Sequence, residues 1–222
     1  MLISISDVLN ADQLADVTSA FDRLVWKDGA ETAGPVARQV KRNQQADLTR
    51  TVGPKVEQIL SAALKQNPVL KAAAQPERFS SLLISKTGAG GGYGLHVDNA
   101  FMRVGDGSMR TDLSFTLFLS PPEDYEGGEL VIEHAGATQT LKLGAGDLVL
   151  YPSSSLHQVT DVTSGTRLVC VGWIESRIQR ADDRETLFDL INLKAELSRR
   201  LDAQSPEMLT LSKVIANLKR RF

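Results

Sequence analysis

Three residues in this chain have the types and spacing to hold a divalent metal. His96 and Asp98 stand one residue apart in "YGLHVDNA", and His157 opens the later run "HQVTDV". On a strand, residues two apart point to the same side, so His96 and Asp98 present a ring nitrogen and a carboxylate together. Taken alone, a His-x-Asp triplet is weak evidence, because a hydrogen-bonded surface pair has the same spelling. The inventory of the chain sharpens it, since there are only 3 histidines: His96, His134 and His157. His134 ends "ELVIEH" and runs into "AGAT", which reads as a hairpin turn carrying a solvated histidine. That leaves His157 as the partner. Two imidazoles and one carboxylate on one face of a metal form the facial triad of non-haem Fe(II) oxygenases, with the opposite positions open. Structural zinc normally takes four protein ligands, often thiolates, and this chain has 1 cysteine. Iron therefore fits better, and the carboxylate of Asp98 favours hydroxylation over halogenation, where an open position replaces it.

Open positions on the metal leave room for a chelating cosubstrate. If that is 2-oxoglutarate, its keto-acid end would chelate iron and its distal carboxylate would need a cation. Arg167 follows His157 on the next predicted strand, and a guanidinium grips a carboxylate through two parallel hydrogen bonds. For both residues to face one side, a hairpin joining them must have odd length or carry a bulge, such as a Ser164-Gly165-Thr166 loop with Gly165 left-handed. A surface arginine beside the turn "TSGT" is the plain alternative.

These side chains need a frame, and the texture of the sequence supplies one. From Phe79 to Ile174 short apolar runs alternate with Gly, Pro, Asp and Ser clusters: "FSSLLIS", "YGLHVD", "DLSFTLFLS", "ELVIEH", "ATQTLKL", "DLVLYP", "LHQVTDV" and "TRLVCVGWI". About eight strands are expected, the number of a jelly roll. Helical spacing flanks them, from Asp12 to Leu24, from about Leu48 to Lys65, after Ser176 through Leu187, Leu190, Ile191, Leu193 and Leu197, and from about Pro206 to Arg220. The expected fold is mainly β with flanking helices: a helical support region over 1–77, a double-stranded β-helix over 78–177 and a helical extension over 178–222. The apolar stripe of the extension can pack on the barrel or on a second copy of the chain, as a homo-oligomer would require.

With 222 residues, 42% of them hydrophobic, and a net charge of −2, the chain offers no general attraction for nucleic acid or an anionic membrane. The lone Cys170 in "RLVCVGW" reads as a buried thiol in a reducing compartment. The start "MLISISDVLNADQL" lacks the pattern of a secretory signal, and no run is long enough to span a bilayer, so a cytoplasmic location is expected.

Longer motifs add a resemblance. "WKDGAETAG" and "VKRNQQ" near the N-terminus, "YGLHVDNA", "DLSFTLFLS", "YEGGELVIE", "GDLVLYPSSSLHQVT" and "GTRLVCVGWIES" in the core, and "LFDL" near the C-terminus resemble the PKHD-type hydroxylases. These are bacterial relatives of the prolyl and lysyl hydroxylases in the Fe(II)- and 2-oxoglutarate-dependent dioxygenase superfamily. By position, the resemblance puts the iron ligands on His96, Asp98 and His157 and the 2-oxoglutarate arginine on Arg167. It implies consumption of O2, release of succinate and CO2, and L-ascorbate as the reductant that restores Fe(II). It leaves the primary substrate between a prolyl or lysyl side chain and a small molecule. The chain departs from related enzymes at Lys86, where they often have a tyrosine; Lys86 is solvated at a strand end or supplements Arg167. The loop "NAFMRVGDGSMR" and the glycine-rich Gly88 to Gly92 segment are candidate lids, with Phe101, Met102 and Arg103 facing substrate or closing the loop. Asn99 reads as a support for Asp98 or as a turn residue. Two rival readings are a non-catalytic jelly-roll module that senses iron or a ligand, and a structural jelly roll.

Overall fold

Alternation of side chains along the strands builds two facing sheets. The computed structural model describes residues 1–32, 37–134 and 136–222. Near the N-terminus it has β1 (Ile3–Ile5), β2 (Trp26–Asp28), β3 (Lys41–Arg42) and β4 (Gln44–Ala46). Then come β5 (Pro76–Phe79), β6 (Leu83–Gly88), β7 (Gly92–His96), β8 (Phe101–Val104), β9 (Gly107–Arg110) and β10 (Leu113–Phe118). The last group is β11 (Tyr125–Gly127), β12 (Leu130–His134), β13 (Ala137–Leu141), β14 (Leu148–Pro152), β15 (His157–Val159) and β16 (Val162–Ser176). The larger sheet runs β1-β14-β10-β16-β6-β4-β2, with β5 and β11 also paired to β16, and the smaller runs β13-β12-β15-β7-β3. Their antiparallel pairing makes the jelly-roll core. All the expected strands are present, and short ones flank them; β1 to β4 carry the N-terminal region into both sheets.

Strand β10 shows how one sequence serves two cores. Leu113, Phe115 and Leu117 pack with Leu148, Leu150, Cys170 and Ile174 beneath the helices, whereas Phe118 joins Leu130, Val149, Tyr151 and Val169 between the sheets. Burial of these side chains contributes about 1.5 to 3 kcal/mol apiece relative to exposure. Ser114 and Thr116 share the inner face with Phe118 and line a cavity there.

The helices are α1 (Ala11–Thr18), α2 (Gly53–Gln66), α3 (Pro68–Ala74), α4 (Ala181–Leu197) and α5 (Pro206–Lys219). Asn10 and Gln13 close a reciprocal cap on α1. The helix expected as far as Leu24 stops at Thr18, and a 3₁₀ turn, Phe21–Arg23, follows it. The helix expected from Leu48 begins at Gly53, with Pro54 in its first turn, where a missing N–H costs nothing. In the C-terminal extension, Ile178, Leu187 and Ile215 meet between α4 and α5 with half-buried Leu190, Ile191 and Leu211 around them, so part of the stripe packs within the chain while Leu193 stays exposed. No helix among the described residues is long and apolar enough to cross a membrane.

One expectation fails on topology. His157 and Arg167 do not sit on the two arms of a hairpin: β15 pairs with β12 and β7, while β16 crosses to the larger sheet. The parity condition on their connection therefore does not apply, because they face each other from opposite sheets. Gly165 is left-handed (φ 74°) as expected, but inside β16, where it pairs with Tyr125 and an added Cβ would stand 2.0 Å from the Asp124 carbonyl oxygen.

Candidate metal centre

A bulge on β7 aims the first histidine. His157 lies opposite His96 and Val159 opposite Tyr93, so the one residue between them on β15, Gln158, is matched by two on β7, Gly94 and Leu95. Tyr93 and His96, an odd number apart, consequently both line the interior, while Leu95 and Val97 stay exposed. β7 ends at His96, and Asp98 lies beyond it in irregular chain. Between them Val97 is 51% exposed, and His96 and Asp98 both line the cavity, the same-side placement expected of residues two apart.

The donor atoms converge. His96 Nε2 is 4.0 Å from Asp98 Oδ1, and His157 Nε2 is 3.8 Å from Asp98 Oδ2. Ligand atoms of the three residues all fall within 4.8 Å of one another. His96 Nδ1 donates to the Gly94 carbonyl at 2.8 Å, and His157 Nδ1 donates to the Ser155 carbonyl at 3.0 Å. A carbonyl can only accept, so Nδ1 carries the proton on both rings and both Nε2 lone pairs face Asp98. Ser114 Oγ donates to Asp98 Oδ2 at 2.6 Å and lies 2.8 Å from Ser153 Oγ, which fixes the carboxylate plane.

The rings are held by neighbours. Tyr93 stacks on His96 with centroids 3.6 Å apart, and Tyr151 meets His157 edge-on at 5.1 Å. Burial, then the neighbouring His157, pulls the His96 pKa down to about 4. Its lone pair is thus available near neutrality without loss of a proton. Burial, with Asp98 second, pushes the Tyr93 phenol up to about 12.

Arg167 lines the same cavity. It is 2% exposed, its guanidinium lies 5.6 Å from the Phe118 ring centroid, and its Nε has no hydrogen-bond partner. Burial lowers its pKa, and Tyr125 acts against that shift without forming a hydrogen bond of ordinary geometry. An arginine keeps its charge under such pressure. Gly128 makes the space: at φ 67°, an added Cβ would come within 2.9 Å of Arg167 Cδ. The cavity has a volume of about 220 Å³, with His96, Asp98, His157 and Arg167 all on its wall.

Lys86 does not supplement Arg167. Ser85 and Thr87 take the inward positions of β6, and the Lys86 ammonium sits on the other face, 5.3 Å from the Trp26 ring centroid. The loop expected over the site is the β8–β9 hairpin; Met102 and Arg103 line the cavity, whereas Phe101 is 64% exposed. Asn99 lines the cavity too, and its carbonyl accepts from the Thr111 hydroxyl. The backbone of His134 ends β12, and its side chain lies outside the described residues, as do positions 33 and 34 of "WKDGAETAG". Sequence reasoning missed Lys41, Asn43 and Gln45, which line the wall from β3, the junction after it and β4. Their alternation within "VKRNQQ" was the available signal.

The fold is that of the 2OG-Fe(II) oxygenase superfamily, whose family model matches residues 82–175. Along its whole length, the chain is 54% identical to a PKHD-type hydroxylase of Hyphomonas neptunium, covering 100% of this chain and 99% of that protein. It is 47% identical to one of Synechococcus elongatus, again over 100% and 99%. The chain belongs to the PKHD-type hydroxylases. Among solved structures it resembles a prolyl hydroxylase of Trichoplax adhaerens in complex with a hypoxia inducible factor peptide, with TM-score 0.58 and 16% identity, covering 84% of this chain and 86% of that one. It also resembles a Pseudomonas putida prolyl-4-hydroxylase, with TM-score 0.50 and 24% identity over 80% and 93%. At such identities the likeness is one of fold.

Proposed function

We propose that this chain is an Fe(II)- and 2-oxoglutarate-dependent dioxygenase that hydroxylates an unactivated carbon of a prolyl or lysyl type side chain or of a small molecule. The observation that carries the reading is one cavity with both a two-histidine, one-carboxylate donor set and a buried arginine, its Nε unpartnered, on its wall. Three protein donors leave positions open for a chelate and for oxygen. Bound there, Fe(II) supplies the redox chemistry by which one atom of O2 enters 2-oxoglutarate, which leaves as succinate and CO2, and the other enters a substrate C–H bond.

The residues of the chain do the rest. His96 and His157 present neutral Nε2 atoms, and the Gly94 and Ser155 carbonyls keep the protons on Nδ1. Ser114 holds Asp98 through Oδ2. Arg167 binds the distal carboxylate of 2-oxoglutarate, while Leu130, Val159 and Val169 keep that part of the wall apolar. A non-catalytic sensing module is the alternative, and a cavity open as far as Arg167 weighs against it. The proposal extends to L-ascorbate as reductant, on the family resemblance, and to a cytoplasmic location, on the single buried Cys170. It keeps the division into 1–77, 78–177 and 178–222, and a homo-oligomer built on Leu193, Leu209 and Val214, which are exposed on α4 and α5.

Anaerobic reconstitution with Fe(II) and 2-oxoglutarate tests the site. A visible charge-transfer band is expected in the wild type, with Arg167→Ala and Arg167→Lys both needing far more 2-oxoglutarate to reach it. Bound iron with no band would overturn the reading in favour of the sensing module.

A further inference from the structure

Two buried polar atoms near the cavity have no hydrogen-bond partner among the described residues, and they flank one spot. They are Arg167 Nε on β16 and the hydroxyl oxygen of Tyr125 on β11. Tyr125 lies opposite Gly165, two residues before Arg167. It is therefore a diagonal neighbour of Arg167 across the strand pair, a separation that an aromatic and a long side chain can bridge. Gly128 shows how near the two side chains come. A Cβ added there would stand 2.9 Å from Arg167 Cδ and 3.1 Å from Tyr125 Cε2, the carbons one bond from Nε and two bonds from the hydroxyl oxygen. The tyrosine is itself clamped, because the Lys142 ammonium stands 4.1 Å from its ring centroid and donates to its carbonyl at 2.6 Å.

This inference rests on the reading proposed above. Whatever supports a cosubstrate-binding arginine must hold it without taking up its charge. A carboxylate would compete with the distal carboxylate of 2-oxoglutarate for the same cation, whereas a neutral hydroxyl does not. Glu129 favours the charge on Arg167, but its carboxylate accepts from the Thr160 hydroxyl. Burial raises the pKa of Tyr125 against the pull of Arg167, so the phenol stays neutral near neutrality. Arg167 is on the cavity wall and Tyr125 is not, so the hydroxyl acts on the cosubstrate only through the arginine.

We propose that Tyr125 is a positioning residue for Arg167: its hydroxyl oxygen accepts the Nε–H bond and leaves the two terminal nitrogens to grip the distal carboxylate of 2-oxoglutarate end-on. The bond fixes the plane of the guanidinium, which a two-point grip requires.

The test uses the full-length protein, held anaerobically with Fe(II), and reads the charge-transfer band while 2-oxoglutarate or 2-oxopentanoate is added. The two keto acids share the chelating end, and 2-oxopentanoate has a methyl group in place of the distal carboxylate. The wild type is expected to prefer 2-oxoglutarate strongly. Tyr125→Phe keeps the ring and removes the hydroxyl; it should weaken 2-oxoglutarate roughly tenfold, as for loss of a hydrogen bond to a charged group, and leave 2-oxopentanoate unchanged. In an Arg167→Ala background the same substitution should alter neither keto acid, since no guanidinium is left to hold. Because the ratio of the two affinities is internal to each sample, a variant that is partly unfolded does not mimic the effect. An unchanged ratio in Tyr125→Phe, equal weakening of both keto acids, or an effect that persists without Arg167 would overturn the proposal alone. A wild type that forms no band, or that shows no preference for 2-oxoglutarate, overturns the dioxygenase reading of the site and this inference with it.

Discussion

A carbonyl two residues back decides what each histidine can do. Gly94 and Ser155 hold protons on Nδ1, and the opposed Nε2 atoms are thereby turned on Asp98. Ser114 has the matching task for the carboxylate. Replacing Ser114, which is 2% exposed, by alanine removes one hydroxyl and little volume. Fe(II) affinity in an anaerobic chelator competition should fall by about 10- to 100-fold, the usual effect of losing an outer hydrogen bond to a ligand. Thermal stability should move by only about 1 kcal/mol, and an unchanged affinity would mean that Asp98 needs no such support. That His96, Asp98 and His157 come together was legible in the sequence because the chain has only 3 histidines to choose from. Ser114 and Lys41 were not, since a serine or a lysine does not declare which face of a strand it takes.

At the level of elements, irregular backbone does the positioning. The β7 bulge puts Tyr93 against His96, and left-handed Gly165 lets β11 pair across β16. Gly128 has a comparable role beside the Arg167 stem. Gly128→Ala should lower the affinity for 2-oxoglutarate in a spectral titration while leaving Fe(II) binding close to wild type. It should also destabilise the fold by about 1 kcal/mol or more, because an L side chain is strained at positive φ. Equal losses for metal and 2-oxoglutarate would place the effect elsewhere. The strands themselves were readable as short apolar runs bounded by turn residues, as β10 and β16 illustrate. The bulge was not, because it depends on the register between β7 and β15, which neither segment contains alone. The hairpin formed by β8 and β9 looks like a loop in the sequence for a related reason: "NAFMRVGDGSMR" holds turn residues and charges, and Met109 is its one fully buried side chain.

Across the whole molecule, the site is separated from much of what stabilises it. Leu187 is fully buried where α4 meets α5, away from the sheets that carry the metal donors. Leu187→Ala should cost about 2 to 5 kcal/mol in denaturant unfolding, with Fe(II) affinity retained. The converse holds for the metal: added Fe(II) at a hundredfold excess over its Kd should stabilise the wild type by about 2.7 kcal/mol, and Asp98→Ala should abolish most of that increment. The jelly roll was legible from strand count and turn spacing, but the crossing of β16 into the opposite sheet from β15 was not, so the hairpin expected to join His157 and Arg167 is absent, although both line one cavity. The most direct test of the central claim is turnover under ¹⁸O₂ with Fe(II) and 2-oxoglutarate, followed by mass spectrometry of the succinate. Succinate carrying one ¹⁸O atom, formed by the wild type and lost in Asp98→Ala and Arg167→Ala, is the predicted result; unlabelled succinate, or none from protein with bound iron, would contradict it.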